Sequence, residues 1–151
     1  MPNTINFQLV TPEKTVLNEE LVSLTCPTEM GQITILPGHI PLVANLAPGE
    51  LHAKTASGDH YLYVAGGFVE VRSGNEVVIL ADDAQHHHEI DIKRAEEAVK
   101  RAEQGLKEQH LSGEEYARVA ASLHKSLARA NVARKHAHRR NPITGQGTLN
   151  Q

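Results

Sequence analysis

The apolar residues of this 151-residue chain change their spacing once, and the change falls inside the segment DDAQHHHEID at residues 82–91. Upstream, apolar and polar side chains alternate: Phe7 with Leu9, Val22 with Leu24, Ile33 with Ile35, Val69 with Val71. An extended backbone sends successive side chains to opposite faces, so a period of two marks strands with one buried face. Downstream of Glu89 the spacing becomes three and four, and Ile92, Ala95, Val99, Ala102 and Leu106 fall on one stripe of a helix. Lys93, Glu96, Glu97, Lys100, Arg101 and Glu103 occupy its other faces. The chain therefore has to build a sheet structure first and a helical structure second, an α+β organisation.

The strand region is cut into short pieces by Pro37-Gly38, Pro48-Gly49, Ser57-Gly58-Asp59 and Ser73-Gly74-Asn75. Each supplies a fixed or positive φ for a turn. Many short strands between frequent turns predict an antiparallel sandwich or barrel. The sharpest hairpin is GFVEV at 67–71, a turn over 72–75, and EVVILA at 76–81. In the helical region, Ser112 followed three residues later by Glu115 forms a capping box that starts a second helix. Its expected stripe is Tyr116, Ala120, Leu123, Leu127 and Ala130. The connection at 110–113 is short, which makes the two helices an antiparallel hairpin. Asn141-Pro142 and the Gly, Gln and Thr residues beyond it end the order. The expected organisation is a β domain over 1–84, a hinge over 85–90, a helical hairpin over 91–138 and a disordered tail over 139–151.

The two halves differ in core material and in charge. Residues 5–81 hold 29 Val, Ile, Leu, Met, Phe and Tyr side chains, against 9 in residues 91–140. A large apolar side chain contributes about 1.5–3 kcal/mol on full burial, whereas ordering each residue costs roughly 1 kcal/mol or more. The hairpin is therefore marginal alone and is expected to exchange position or partner. Residues 1–90 carry 3 basic and 11 acidic side chains, and residues 91–151 carry 12 basic and 7 acidic ones. From Tyr116 onward there is no acid, while Arg118, Lys125, Arg129, Arg134, Lys135, Arg139 and Arg140 are all present. Such an end seeks an acidic partner.

The opening residues MPNTINFQLVTPEK lack a basic stretch followed by an apolar one, and no apolar run approaches the roughly 18 residues needed to cross a bilayer. The expectation is a soluble chain without direct membrane insertion. Cys26 is the sole cysteine, which excludes an internal disulfide and predicts a buried structural thiol. The motifs GxSxG, HExxH and Walker A are absent, as is a paired-carboxylate pattern, so no catalytic residue is expected. Gly66-Gly67 lies between two strand runs with no helix after it, which predicts a bulge or a close backbone approach instead of a phosphate loop.

Three adjacent histidines, His86, His87 and His88, raise a metal reading. In an extended segment His86 and His88 point the same way, but a zinc site needs two further ligands, with Asp82 or Glu89 at hand. Three neighbouring side chains cannot all converge on one ion, and no second His or Cys pair has ligand spacing. No metal site is expected; the segment reads as a polar linker, with a pH-sensitive hinge as the alternative. The basic second helix also admits a stand-alone binding module that recognises an acidic protein or nucleic acid. Nucleic acid is the weaker partner, because Tyr116 is the single aromatic residue in this part and base stacking has almost no material.

The segments GQITILPGHIPLVANLAPGEL (31–51), VAGGFVEV (64–71), VVILADDA (77–84) and EIDIKRAEEAVKRAE (89–103) together resemble the ε-subunit family of bacterial F-type ATP synthases. The likeness runs to about residue 135. It implies an N-terminal antiparallel β-sandwich followed by a C-terminal antiparallel two-helix hairpin, in a non-catalytic subunit of the rotor's central stalk. The implied partners are the γ subunit, the polar loops of the c-ring and, through the hairpin, the catalytic α/β ring. The implied role is to couple proton translocation to ATP synthesis, and to inhibit ATP hydrolysis when the hairpin moves from a compact to an extended form. The implied location is the cytoplasmic face of the bacterial inner membrane, peripherally bound.

The resemblance also implies site residues. No cofactor is required, but some members bind a regulatory ATP through (I/L)DxxRA, which Ile90, Asp91, Arg94 and Ala95 match, with Arg101 matching a further arginine. Arg129 agrees with the pattern on the second helix. Gln85 stands where an acid is expected six positions before Asp91, and Lys125 replaces an arginine. Glu29 to Gln32 matches the turn that faces the c-ring, and Pro37, Gly38, His39 and Pro41 match the surface near γ. Arg129, Arg134 and Lys135 are the candidate inhibitory contacts to the α/β ring.

Overall fold

The computed structural model describes residues 3–108 and 110–137. Ten strands come first: β1 (Ile5–Val10), β2 (Thr15–Leu21), β3 (Ser23–Thr28), β4 (Gly31–Ile35), β5 (Leu42–Asn45), β6 (Gly49–Lys54), β7 (Asp59–Ala65), β8 (Phe68–Arg72), β9 (Glu76–Leu80) and β10 (Asp83–His86). A 3₁₀ turn at His87–Glu89 then leads into α1 (Ile92–Glu108) and α2 (Gly113–Lys135). The strands form two five-stranded sheets, ordered β2-β1-β9-β8-β5 and β10-β7-β6-β3-β4. This is the expected sandwich followed by two helices. One pair departs from the antiparallel rule: β1 and β9 run parallel, from Asn6 opposite Glu76 to Val10 opposite Leu80. The tail expected from residue 139 lies outside the described residues.

Alternation builds the core. Ile5, Phe7 and Leu9 of β1 join Leu24 and Cys26 of β3, Leu51 and Ala53 of β6, Leu62 and Val64 of β7, and Val77 and Ile79 of β9 between the sheets. Val22 departs from the expected alternation. It lies at the bend between β2 and β3 and is 38% exposed, and Leu21 takes the buried place because the chain changes phase there. The hairpin of β8 and β9 forms as expected, with Arg72 opposite Glu76 and Asn75 at positive φ in the turn. Gly67 makes the predicted close approach: its φ is +87°, and a Cβ there would sit 1.8 Å from the Leu80 carbonyl oxygen.

The reading of 85–90 as a polar linker is corrected. Gln85 and His86 belong to β10, opposite Tyr63 and Leu62 of β7, so the strand covers backbone groups that β7 would otherwise expose at the sheet edge. The helices then cover the outer face of the same sheet. Tyr63 and Ala65, on the far side of β7 from Leu62 and Val64, form a second cluster with Ile90, Ala95, Val99, Ala130, Val132 and Ala133. On α1 the stripe behaves as expected, with Ala95 and Val99 buried. On α2 full burial is confined to Ala130, Val132 and Ala133 near its end. Tyr116, expected on that stripe, is 54% exposed because the first turns of α2 carry none of the second cluster. The hairpin is thus compact on the sandwich, held by few large apolar groups.

Candidate functional site at the docked end of the helical hairpin

The outer positions of β6 and β7 are polar because Leu51, Ala53, Leu62 and Val64 take the inner ones. Glu50 and His52 from β6 and Tyr61 from β7 therefore face the end of α2. Glu50 accepts two hydrogen bonds there: Lys135 Nζ donates to Oε2 at 2.7 Å, and His136 Nε2 donates to Oε1 at 2.6 Å. Burial alone would push the Glu50 carboxyl up, but the two hydrogen bonds and the charges behind them hold it below the ordinary carboxylate value. His136 is a buried polar residue at the C-cap of α2, with its ring stacked on Tyr61 at 4.0 Å. Tyr61 also stacks on His52 at 4.5 Å. Thr25, Gln32, Glu50, His52, Tyr61 and His136 are among the groups lining a cavity of about 380 Å³ at this junction.

The triple histidine reaches the same place. His87 Nδ1 donates to the Tyr61 carbonyl at 3.1 Å, and its ring lies 5.3 Å from that of His136. Through His88 and His86 the contacts continue to His60, which pairs with Glu19 at 3.0 Å. Burial holds His86 below the ordinary histidine value, with Glu89 opposing that shift. Among the described residues no group of three or more His, Cys, Asp or Glu side chains is placed to hold a metal ion.

The candidate nucleotide residues fall into separate arrangements. Asp91 Oδ1 accepts from the Arg94 backbone N at 3.2 Å, a first-turn cap on α1. Arg94 and Arg101 line a shallow groove of about 560 Å³ along α1 with Glu97 and Lys100. Arg129 Nε donates to Gln85 Oε1 at 3.1 Å, while Gln85 Nε2 donates to the Glu89 carbonyl. Lys125 is exposed. The candidate inhibitory cations are all engaged within the chain: Arg129 with Gln85, Arg134 with Glu96 at 3.5 Å, and Lys135 with Glu50. Reading the sequence missed Glu50, His52, Tyr61 and His136. No local pattern announces them, since Glu50 and His136 meet only when α2 folds back on β6.

The expected rotor residues fall in two places, the β3–β4 turn and the β4–β5 loop, which lie at opposite ends of β4. Glu29 lies in the β3–β4 turn beside Met30, which is 94% exposed, and accepts from Asn45 Nδ2. Gln32 is the second residue of β4 and lines the cavity at the docked end of α2. Pro37, Gly38, His39 and Pro41 form the β4–β5 loop, tied down where Gly38 N donates to Asn75 Oδ1 at 2.7 Å. Around them Leu36, Ile40, Val43, Phe68 and Leu80 are exposed, Ile40 at 75% and Val43 at 66%. Val43, Phe68 and Leu80 come from the adjacent strands β5, β8 and β9, and exposed apolar side chains grouped in this way suit a contact surface.

Two family models match this fold in order. The ATP synthase Delta/Epsilon chain beta-sandwich domain covers residues 4–87, and the long alpha-helix domain of the same chain covers residues 88–134. The chain belongs to the ATP synthase delta/epsilon family. An ATP synthase epsilon chain of Dehalococcoides mccartyi is 42% identical over 131 residues, covering 87% of this chain and 93% of the relative. One from Nitratidesulfovibrio vulgaris is 40% identical over 132 residues, covering 87% and 97%. Among solved structures, a chain of the Euglena gracilis mitochondrial ATP synthase OSCP/F1/c-ring assembly shares the fold at TM-score 0.76 and 24% identity, covering 91% of this chain and 83% of that one. A chain of the Tetrahymena thermophila mitochondrial ATP synthase central stalk and c-ring shares it at TM-score 0.59 and 21% identity, covering 85% and 96%. In this delta/epsilon chain no described helix is long and apolar enough to cross a membrane.

Proposed function

We propose that this chain is the rotor ε subunit of a bacterial F-type ATP synthase, a non-catalytic coupling subunit whose hairpin inhibits ATP hydrolysis when it leaves the sandwich. The proposed place is peripheral, on the cytoplasmic face of the inner membrane. One observation carries the reading: Arg129, Arg134 and Lys135 are held by Gln85, Glu96 and Glu50 in the compact form. Undocking would release Arg129 and Lys135 from the sandwich, and separation of α2 from α1 would release Arg134, on a helix with no acid after Glu115. That change suits an acidic surface of the α/β ring. The apolar edge around Ile40 and Val43 supports a contact with γ, and the β3–β4 turn with Glu29 and Met30 supports one with the polar loops of the c-ring. The test is inhibition of hydrolysis in the assembled enzyme. Replacing Arg129, Arg134 and Lys135 with Gln should relieve inhibition severalfold while assembly is retained; unchanged inhibition would remove the electrostatic account.

A regulatory ATP is proposed for the compact form only at its phosphate end. Arg94, Lys100 and Arg101 share one groove and suit phosphate oxygens, while Glu97 in the same groove opposes them. Isothermal titration of the full chain with ATP should give heat that Arg94→Ala abolishes, and no heat at millimolar ATP would end this part of the proposal.

A further inference from the structure

We infer that the Gln85 carboxamide ties the 3₁₀ turn at His87–Glu89 to α2, so that the turn gives way in the same step in which α2 leaves the sandwich. The inference deepens the proposed mobility of the hairpin and rests on it.

The tie begins with strand alternation. Ala84 packs against the core between the sheets, so its neighbour Gln85 faces outward, beside Tyr63 of β7 on the face that the helices cover. There its side chain meets two elements at once. Arg129 Nε of α2 donates to Oε1 at 3.1 Å, and Nε2 donates to the Glu89 carbonyl at 3.3 Å. The two partners fix the orientation of the amide. A guanidinium only donates and a carbonyl oxygen only accepts, so turning the amide over would set N–H against N–H and oxygen against oxygen. A carboxylate here could still accept from Arg129, but its second oxygen would face the Glu89 carbonyl. An apolar side chain would hold neither partner.

Both partners adjoin buried residues. Ala130 follows Arg129 and Ile90 follows Glu89, and both belong to the second cluster. Asp91 then caps α1. One amide therefore sets the entry into α1 against the position of α2. The Glu89 carbonyl and the Ile90 N–H belong to one peptide unit, and its two ends are held separately. Gln85 holds the carbonyl, and the Ile90 N–H donates to the His87 carbonyl over a long 3.4 Å. His87 is itself anchored to the Tyr61 carbonyl, which leaves the Glu89 end to Gln85. Once Arg129 withdraws, the amide rotates freely and its bond to Glu89 loses the partner that oriented it.

The experiment reads α2 and the turn independently in the full chain. The distance between fluorescent labels at Ser57→Cys and Arg118→Cys, with Cys26 left buried, follows α2. Hydrogen exchange of the Ile90 amide follows the turn. Arg129→Met keeps the stem and removes the donor. It should raise the open fraction about tenfold, the effect of losing one hydrogen bond from a charged donor, and speed Ile90 exchange by the same factor. Gln85→Glu should split the readouts: the label distance stays at the parent value while Ile90 exchange still speeds up about tenfold. A side chain that only filled space would give no such split. Far-UV circular dichroism reports folding in each variant. Glu50→Gln touches neither end of the tie and tests mobility alone. Opening of Glu50→Gln and Arg129→Met with Ile90 exchange at the parent rate would overturn the tie and leave mobility standing. Parent-rate exchange in Gln85→Glu would also overturn the tie. No opening in either Glu50→Gln or Arg129→Met would overturn both.

Discussion

Two residues carry expectations that the structure turns into energies. Cys26 is fully buried, and burial pushes its thiol up to about 12. It should therefore resist thiol reagents at pH 8 in the native chain and react at the rate of an ordinary thiol in denaturant, as followed by absorbance of a released aryl thiolate. Gly67 is constrained twice, by a φ that side chains rarely adopt and by the Leu80 carbonyl against the place of a Cβ. Gly67→Ala should destabilise the sandwich by about 2 kcal/mol or more in urea unfolding. Both features were legible in the sequence, as a lone cysteine within a strand run and a Gly-Gly pair between strands. His136 was not, because nothing near it in the chain says that a histidine after a helix with no acid beyond Glu115 will be buried against Tyr61.

At the scale of elements, the hairpin's attachment is polar where its apolar contacts run out. The second cluster contains Tyr63, Ile90, Val99 and Val132 as its large buried members, the rest being alanines. Loss of a few polar contacts is therefore enough to shift a docked equilibrium. Glu50 gives the sign of one such loss. Its carboxyl is lower in the docked form than free, so its support for docking is complete above the ordinary carboxylate value and falls away as pH drops through its lowered one. Tyr61 ring resonances should report an acid-induced undocking step in this range that Glu50→Gln lacks. The element boundaries show where reading the sequence was partial. Period two found the inner positions of β1, β4 and β8, and the capping box found the start of α2, which Ser112 and Glu115 close by reciprocal hydrogen bonds. The strand β10 escaped notice because Asp83, Ala84, Gln85 and His86 have no alternating apolar pattern, and only pairing with β7 makes them extended.

For the whole molecule, two surfaces divide the work: the outer face of the β6–β7 sheet receives the hairpin, and the β5 edge of the other sheet presents an apolar patch. The division makes a prediction. If the patch is the proposed contact with γ, Ile40→Asp with Val43→Asp should weaken recovery of the chain with γ at least tenfold, since two exposed apolar side chains would carry charge into that contact, while the compact hairpin distance stays unchanged. Equal recovery with γ would place that contact elsewhere. The charge difference between the two halves, plain in the sequence, becomes internal complementarity here: cations of α2 meet Glu50 of the sandwich and Glu96 of α1.

The sequence by itself determined the order of sheet and helices, the hairpins, the buried cysteine and the family, because each depends on periodicity, turn chemistry or motifs within a few residues. Tertiary structure decided the rest. The parallel pairing of β1 with β9, the strand made from the first of the three histidines, the two buried faces of β7 and the meeting of Glu50 with His136 all join residues far apart in the chain. Which of these contacts form depends on how the two sheets and the hairpin pack, a choice among long-range partners that local spacing does not encode.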